Sequence, residues 1–396
     1  MADGSRARPR LLVLGAGPAQ LGLLRAARER GLLVIAADGD PSAPGFRYAD
    51  KRAVVSSEDE PAVDRLARAE RVDGVISPGA DWPVGIAARI AERMGLPHPI
   101  DGATAVLATS KQRQRERLEE AGVPQPRLLA EPSAPCVVKA PDRQGQRGLT
   151  VVRCDEELPD AIQAAVAASR NGAFIVEELV DGPEVTVNAV SVGGTFHPLT
   201  VTDRLTADPP AFGVALAHVW PSNAAKSACV PGTQSPSAVA ARAAAALGIT
   251  DGPTYTQLRL GPEGPKAVEL AARLGGGHDA ELCRLALGVD LNGLALDFAL
   301  GESPCVETTQ APVVGGACVL FLVAPKGELR ATEGVDDALS LKGIEEVRLY
   351  RQPGHRFGPL RRGADRAGAV LATGESRDDA LERARRAAGA IRFVVE

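Results

Sequence analysis

The chain has 396 residues, enough for two or three domains with cores of ordinary size. Its apolar share of 45% and charged share of 24% are those of a globular protein, and aromatics at 3% leave core packing to small aliphatic side chains. The net charge is −5, the Arg-rich stretches (Lys111 to Arg117, Arg383 to Arg386) are interleaved with Glu, and no apolar run can span a bilayer; nucleic acid and membrane are therefore excluded as partners and a cytoplasmic enzyme is expected.

The opening, MADGSRARPRLLVLGAG, is basic then apolar like a signal peptide, but its apolar part is only LLVL before a Gly-rich turn, so it reads as a buried strand. Leu11 to Leu14, Leu32 to Ala36 and Gly74 to Ser77 are strands, and Leu21 to Arg30 is a helix stopped by Gly31. This alternation predicts a doubly wound parallel sheet over 1–110. A helix follows from Lys111 to Ala121, capped by Ser110, then strands at Val137 to Lys139, Leu149 to Val152 and Phe174 to Glu177, with a helix over Asp155 to Arg170. Glu184 to Val192 alternates strictly, which predicts a half-exposed antiparallel strand turning at Gly193-Gly194 into Thr195 to Val201. Ser237 to Leu247 is an Ala-rich helix, Tyr255 to Leu260 and Lys266 to Ala271 form a second hairpin, and helices lie around Asp279 to Leu287 and Asn292 to Leu300. A polar, Pro-containing stretch from Glu302 to Pro312 marks a boundary, before strands at Cys318 to Val323, Val347 to Tyr350 and Ala369 to Ala372 and a last helix, capped at Ser376, from Arg377 to Ala390. The six cysteines (Cys136, Cys154, Cys229, Cys283, Cys305, Cys318) show no C-x-x-C pairing and read as small buried hydrophobes in a reducing compartment.

Gly15-Ala16-Gly17-Pro18-Ala19-Gln20-Leu21-Gly22 misses the dinucleotide fingerprint, because Gln20 holds the third Gly place and Pro18 removes an amide donor. An NAD(P)-binding oxidoreductase survives as an alternative through Gly15, Gly17 and Asp38; a packing turn, or a helix start facing a small anion, are the other readings. Lys111 and Lys139, with the loop Gly145-Gln146-Arg147-Gly148, have the composition of a phosphate site: two cations and a flexible backbone that can close over a triphosphate. In Glu177-Glu178-Leu179-Val180-Asp181-Gly182-Pro183-Glu184 the acids are strand-end residues or, on the functional reading, hold a nucleoside. Adenine would lie on the backbone at Glu178 to Val180, with Glu177 near its amino group and Glu184 on the ribose hydroxyls. Gln257 and Glu269 lie on adjacent hairpin strands as oxygen ligands for Mg²⁺, and Arg273, before Gly275-Gly276-Gly277-His278, can grip a phosphoryl group or a carboxylate.

The order of these pieces resembles the ATP-grasp superfamily over essentially the whole chain. The G-x-x-Q-L-G turn, AGVPQP, and E-L-A-A-R followed by G-G-H are similar to the N5-carboxyaminoimidazole ribonucleotide synthase branch, and LGVDLNGLALDFALGE is similar to ligases of peptide and natural-product pathways. The resemblance implies an α/β protein with an α+β lid: an N-terminal doubly wound pre-ATP-grasp domain (1–110), an ATP-grasp domain (111–305) with its lid around 123–180, and a C-terminal mixed α/β domain (306–396). It implies an acyl phosphate made from ATP and a carboxylate, then captured by an amine. It assigns the phosphates to Lys111, Lys139, Gly145 and Gly148, the nucleoside to Glu177, Glu178, Leu179, Val180 and Glu184, and the metal (Mg²⁺, with Mn²⁺ as the alternative) to Gln257 and Glu269. Arg273, with Lys139, is the catalytic candidate, and Gly276, His278, Asp203 and Arg204 are candidate substrate contacts. Small carboxylate and amine substrates and a homodimer follow as family-level expectations; bicarbonate is the alternative acid. Two departures stand out: Ala271 where many members carry Asn, and Gln257 where many carry Glu.

Overall fold

The strand-forming runs of the first third are short, apolar and separated by helices. In the computed structural model, which describes residues 8–208, 211–227, 232–304, 306 and 311–396, they build one parallel sheet. β1 (Arg10–Leu14) leads through a 3-10 turn (Pro18–Gln20) to α1 (Leu21–Glu29), β2 (Leu33–Asp38), β3 (Lys51–Val54), α2 (Glu60–Glu70), β4 (Gly74–Ile76) and α3 (Asp81–Met94). The strand order β3-β2-β1-β4 is that of a doubly wound sheet, with Leu11 to Leu14 fully buried between helices. α4 (Gly102–Thr109), capped by Asp101, and α5 (Lys111–Glu120), capped by Ser110, carry the chain away.

A small three-stranded antiparallel sheet follows: β5 (Cys136–Lys139) is central, flanked by β6 (Leu149–Val152) and, after α6 (Leu158–Ala168), by β7 (Ile175–Glu178). The main sheet comes next. β8 (Glu184–Val192) and β9 (Thr195–Thr206) form a hairpin, β10 (Ala215–Trp220) adds to β9, and after α7 (Asn223–Ser227) and α8 (Pro236–Ala246) the hairpin β11 (Gly252–Gly261) and β12 (Gly264–Ala271) adds to β8. α9 (Asp279–Leu287) and α10 (Leu291–Ala299) pack back onto β1's sheet, where Leu291, Ala295 and Leu296 share a core with Leu11 and Leu23.

The final segment extends the same sheet. β13 (Gly316–Leu322) pairs with β10, β14 (Gly327–Glu333) departs, α11 (Val335–Ser340) and β15 (Ile344–Leu349) return, and β16 (Arg356–Phe357) precedes β17 (Gly368–Gly374), α12 (Arg377–Ala390) and β18 (Arg392–Val395). The result is an eight-stranded sheet of order β12-β11-β8-β9-β10-β13-β17-β15, with β16-β14-β18 as a separate small sheet.

Several expectations need correction. β8 is buried along both faces between its ends, not half-exposed: its polar positions Thr186 and Asn188 face Thr202 and Thr200 at 2.5 and 3.2 Å, so alternation here separates an apolar core from a polar interior. Cys136, Cys283 and Cys318 are buried as expected, Cys154 is exposed, and Cys229 and Cys305 lie outside the described residues. The first seven residues and part of the 302–312 stretch also lie outside them. Among the described residues no helix is long and apolar enough to cross a membrane.

Candidate active site

Between the small sheet and the strands β8, β11 and β12 runs a cleft of about 90 Å³, which meets a larger cavity of about 440 Å³ facing β1's sheet and the C-terminal segment. Val137, Leu149, Leu179, Val180 and Phe212 give the cleft apolar walls suited to a flat heterocycle. Gln257, Glu269, Arg204 and the loop of residues 144–147 line both spaces and so mark their junction.

Charge at this junction is organised by position in the sheets. Lys139 ends β5 and Glu177 lies on β7 across the ladder, so the two meet at 2.5 Å, while the buried Arg115 reaches the other oxygen of Glu177 at 2.7 Å. Glu177 is 1% exposed; burial raises its pKa, but Arg115 and Lys139 outweigh this and hold it at about 2. Burial, then Arg115, pull Lys139 below the ordinary lysine value, because two cations share one carboxylate. Lys111 bonds to Glu269 at 2.8 Å and to the Arg143 carbonyl at 2.6 Å; burial works against its charge, but Glu269 and Asp81 prevail and raise its pKa.

Glu269 and Gln257 are direct partners across the β11–β12 hairpin, beside a bulge. Burial pushes the Glu269 carboxyl up, and Lys111 more than offsets this. One carboxylate and one amide oxygen suit Mg²⁺, which takes one or two protein carboxylates and completes its shell with phosphate oxygens. Among the described residues no group of three His, Cys, Asp or Glu could enclose a metal alone. Arg273 stands beside Asp81 at 2.7 Å, and Gly276 lines the larger cavity.

Other expected residues fall differently. Neighbouring strand residues point to opposite faces, so Asp203 and Arg204 part company. Arg204 enters the junction, bonds to Glu184 at 2.7 Å, and has a buried Nε with no acceptor among the described residues. Asp203 instead accepts from Ser222 at 2.5 Å, from the backbone N–H groups of Asn223 and Ala224, and from Arg377, and it lines neither space. His278 likewise turns from the cavity: its ring meets Tyr350 Oη at 2.5 Å and an Arg348 N–H at 2.9 Å, and burial with Arg348 drives its pKa well below the usual value. Gly148 lies outside the cleft; with φ at +67° and Ala168 and Ala140 within 3 Å of any added Cβ (2.7 and 2.9 Å), it packs the loop against α6. Gly145 does line the cleft. Glu178 also lines it while paired to Arg127 at 2.7 Å and Lys266 at 2.6 Å, and Glu184 is shared with Arg259 at 3.6 Å. Asp38, the acid of the NAD(P) alternative, accepts from the N–H groups of Ala16 and Asp40 at 2.7 and 2.9 Å, which tie it to its own turn, and it lines neither space. Pro18, Ala19 and Gln20 face the larger cavity.

Sequence reasoning did not find His218, Arg362 or Arg366, all in the wall of the larger cavity. Each is a lone residue in the sequence, and only the pairing of β10 and β13, with the loop before β17, brings them in.

A cleft between a small antiparallel sheet and a larger one, with two lysines over a Glu–Gln pair, defines an ATP-grasp fold. Residues 320–396 match the family model for L-amino acid ligase C-terminal domain 2. The chain superposes on the L-amino acid ligase of Bacillus licheniformis with a TM-score of 0.82 at 21% identity, covering 99% of this chain and 100% of that one. A biotin carboxylase domain of the 2-oxoglutarate carboxylase of Hydrogenobacter thermophilus, a dimer solved with MgADP and bicarbonate, matches at TM-score 0.80 and 18% identity over 98% and 90%. In sequence, the formate-dependent phosphoribosylglycinamide formyltransferase of Burkholderia cenocepacia is 29% identical over 414 aligned positions, covering 97% of this chain and 95% of that protein.

Proposed function

We propose that the chain is an ATP-dependent carboxylate–amine ligase whose substrates are small acids and amines of the amino-acid class. The observation that carries this is the junction itself: a narrow, apolar-walled cleft and a wide polar cavity meet at Glu269, Gln257 and Arg204, where a terminal phosphate from one side would reach an acid from the other. The match of residues 320–396 to an L-amino acid ligase domain supports the choice of substrate class.

On this reading Leu179 and Val180 hold adenine through their backbone and Glu184 takes the ribose. Glu177, whose oxygens are committed to Arg115 and Lys139, sets Lys139 in place rather than reading the base. Lys111 and Lys139 hold phosphates and the loop at Gly145 covers them. Glu269 and Gln257 would hold Mg²⁺, which when bound neutralises phosphate charge. Arg273 steadies the acyl phosphate, and Arg204 offers to an anion the Nε that has no acceptor among the described residues. A cytoplasmic setting and a homodimer belong to the same proposal.

The test is release of ADP and phosphate by the purified chain with Mg²⁺ and ATP, against pooled L-amino acids and small carboxylates, with and without bicarbonate. Release requiring both an acid and an amine is expected, and Lys139→Ala or Glu269→Ala should abolish it. Turnover that requires bicarbonate and no other acid, or that survives both substitutions, would overturn the proposal.

A further inference from the structure

In the wall of the larger cavity, on β10, sits His218. Its Nδ1 lies 2.9 Å from Asp279 Oδ1, and Asp279, at 0% exposure, also faces the N–H of Gly277 at 3.1 Å and Asn188 Nδ2 at 3.4 Å. Burial raises the pKa of Asp279, but His218 and the hydrogen bonds from Gly277 and Asn188 outweigh it and hold the carboxyl at about 2. An ionised carboxylate can only accept, so Nδ1 carries the ring proton and the lone pair is left on Nε2. Gly277, another cavity residue, keeps that side clear: a Cβ there would stand 2.9 Å from Nε2. The ring is held edge-on by Phe321 at 5.8 Å between centroids. Fixed tautomer, fixed orientation and an Nε2 lone pair with no hydrogen-bond partner among the described residues, on a ring that lines the cavity, are the attributes of a general base.

We propose that His218 is the base that prepares the amine for attack and that Asp279 positions it, an inference that rests on the ligase reading above. An amino-acid amine reaches the cavity as an ammonium ion, which has no lone pair to attack with. Nε2 takes one proton. The freed nitrogen forms the C–N bond, the bond between acyl carbon and phosphate oxygen breaks, and phosphate leaves with the electron pair. The second proton of the new N–C linkage goes to the departing phosphate, and the imidazolium returns its own to solvent. The other groups about the ring are Arg204, its register partner on β9, Val319 and Phe321 from β13, and Arg366 and Tyr255 in the same wall.

Hydroxylamine separates the two halves of the reaction, because it is uncharged at neutral pH and captures an acyl phosphate without a base. Wild-type protein, Mg²⁺, ATP and pooled L-amino acids should give hydroxamates with hydroxylamine and dipeptides without it. In His218→Asn, dipeptide formation should fall about 100-fold or more while hydroxamate formation changes less than about threefold. Asp279→Asn, which cannot fix the Nδ1–H tautomer, should split the two rates in the same sense. Both variants lose a buried hydrogen bond, so the charge state of the acceptor supplies a readout that lost stability does not move: a weakly basic amine, uncharged at neutral pH, should be joined by His218→Asn within about threefold of the wild-type rate, while an ordinary amino-acid amine is not. Equal falls of both products in the variants, unchanged dipeptide formation, or an equal loss with charged and uncharged amines would overturn the assignment of His218. Wild-type protein that makes no hydroxamate from any acid would instead overturn the ligase reading.

Discussion

Replacing Glu177 by Gln removes the carboxylate that Arg115 and Lys139 share and leaves two cations buried beneath the cleft. The displacement of its pKa from 4.5 to about 2 reflects a preference for the ionised form. At about 1.4 kcal/mol per tenfold this is worth ~3 kcal/mol, in line with the ~3–5 kcal/mol lost when one partner of a buried ion pair is deleted. Because the folded pKa is depressed, the contribution is complete above the unfolded value near 4.5 and disappears as pH falls toward 2. Urea unfolding at about pH 7 should therefore place Glu177→Gln ~3 kcal/mol below wild type, and at about pH 3.5 the gap should have narrowed by ~1.4 kcal/mol. The KM for ATP should rise, since Lys139 loses its anchor. A gap that does not change with pH, or a variant as stable as wild type, would refute the claim that this carboxylate holds the two cations.

Gln257→Glu adds a second carboxylate opposite Glu269. ADP release titrated with free Mg²⁺ should then saturate at lower metal concentration, and an unchanged titration would count against a metal between these strands. Arg170, just beyond α6, reaches across to the segment that carries the parallel sheet, bonding to Glu58 at 2.7 Å and stacking 4.1 Å over Trp82. Arg170→Ala should raise the KM for ATP about three- to tenfold, and Trp82 emission should report the loss of stacking. His278 is buried neutral with its pKa below 6.5, so wild type should lose stability as pH drops below that value, and His278→Gln should flatten that part of the stability–pH curve.

What could be read from the sequence was whatever local pattern encodes. Leu11–Leu14 announces a buried strand, Ser376 and Ser110 announce helix starts, and Gly193-Gly194 announces a hairpin, because each signal is confined to a few neighbouring residues. Lys111, Lys139, Gln257 and Glu269 read as an ordered set, and the start of α5 with strands β5, β11 and β12 brings all four to the lining of the cleft. The hydrogen-bond partners of Asp203 and His278 could not be read from the sequence, because Ser222 and Arg377 for the one, Arg348 and Tyr350 for the other, lie from about twenty to well over a hundred positions along the chain. The same distance hid His218 and Arg366: a single His or Arg carries no signal until a ladder sets it beside Asp279 or over Phe321. β8 misled for a related reason, since Thr and Asn facing a polar interior alternate like Thr and Asn facing water.

The eight-stranded sheet has a practical consequence for anyone who would divide this protein. The recognisable ligase segment begins at Leu320, inside β13, and that strand hydrogen-bonds to β10, which precedes it by nearly a hundred positions. Expressed alone, either piece would display a raw strand edge, an invitation to aggregate. Expressed together from separate genes cut between β12 and β13, each edge would be the other's complement, so the two halves should reassemble into one particle. A boundary drawn at Leu320 falls inside a strand that hydrogen bonding makes the seam of one continuous sheet.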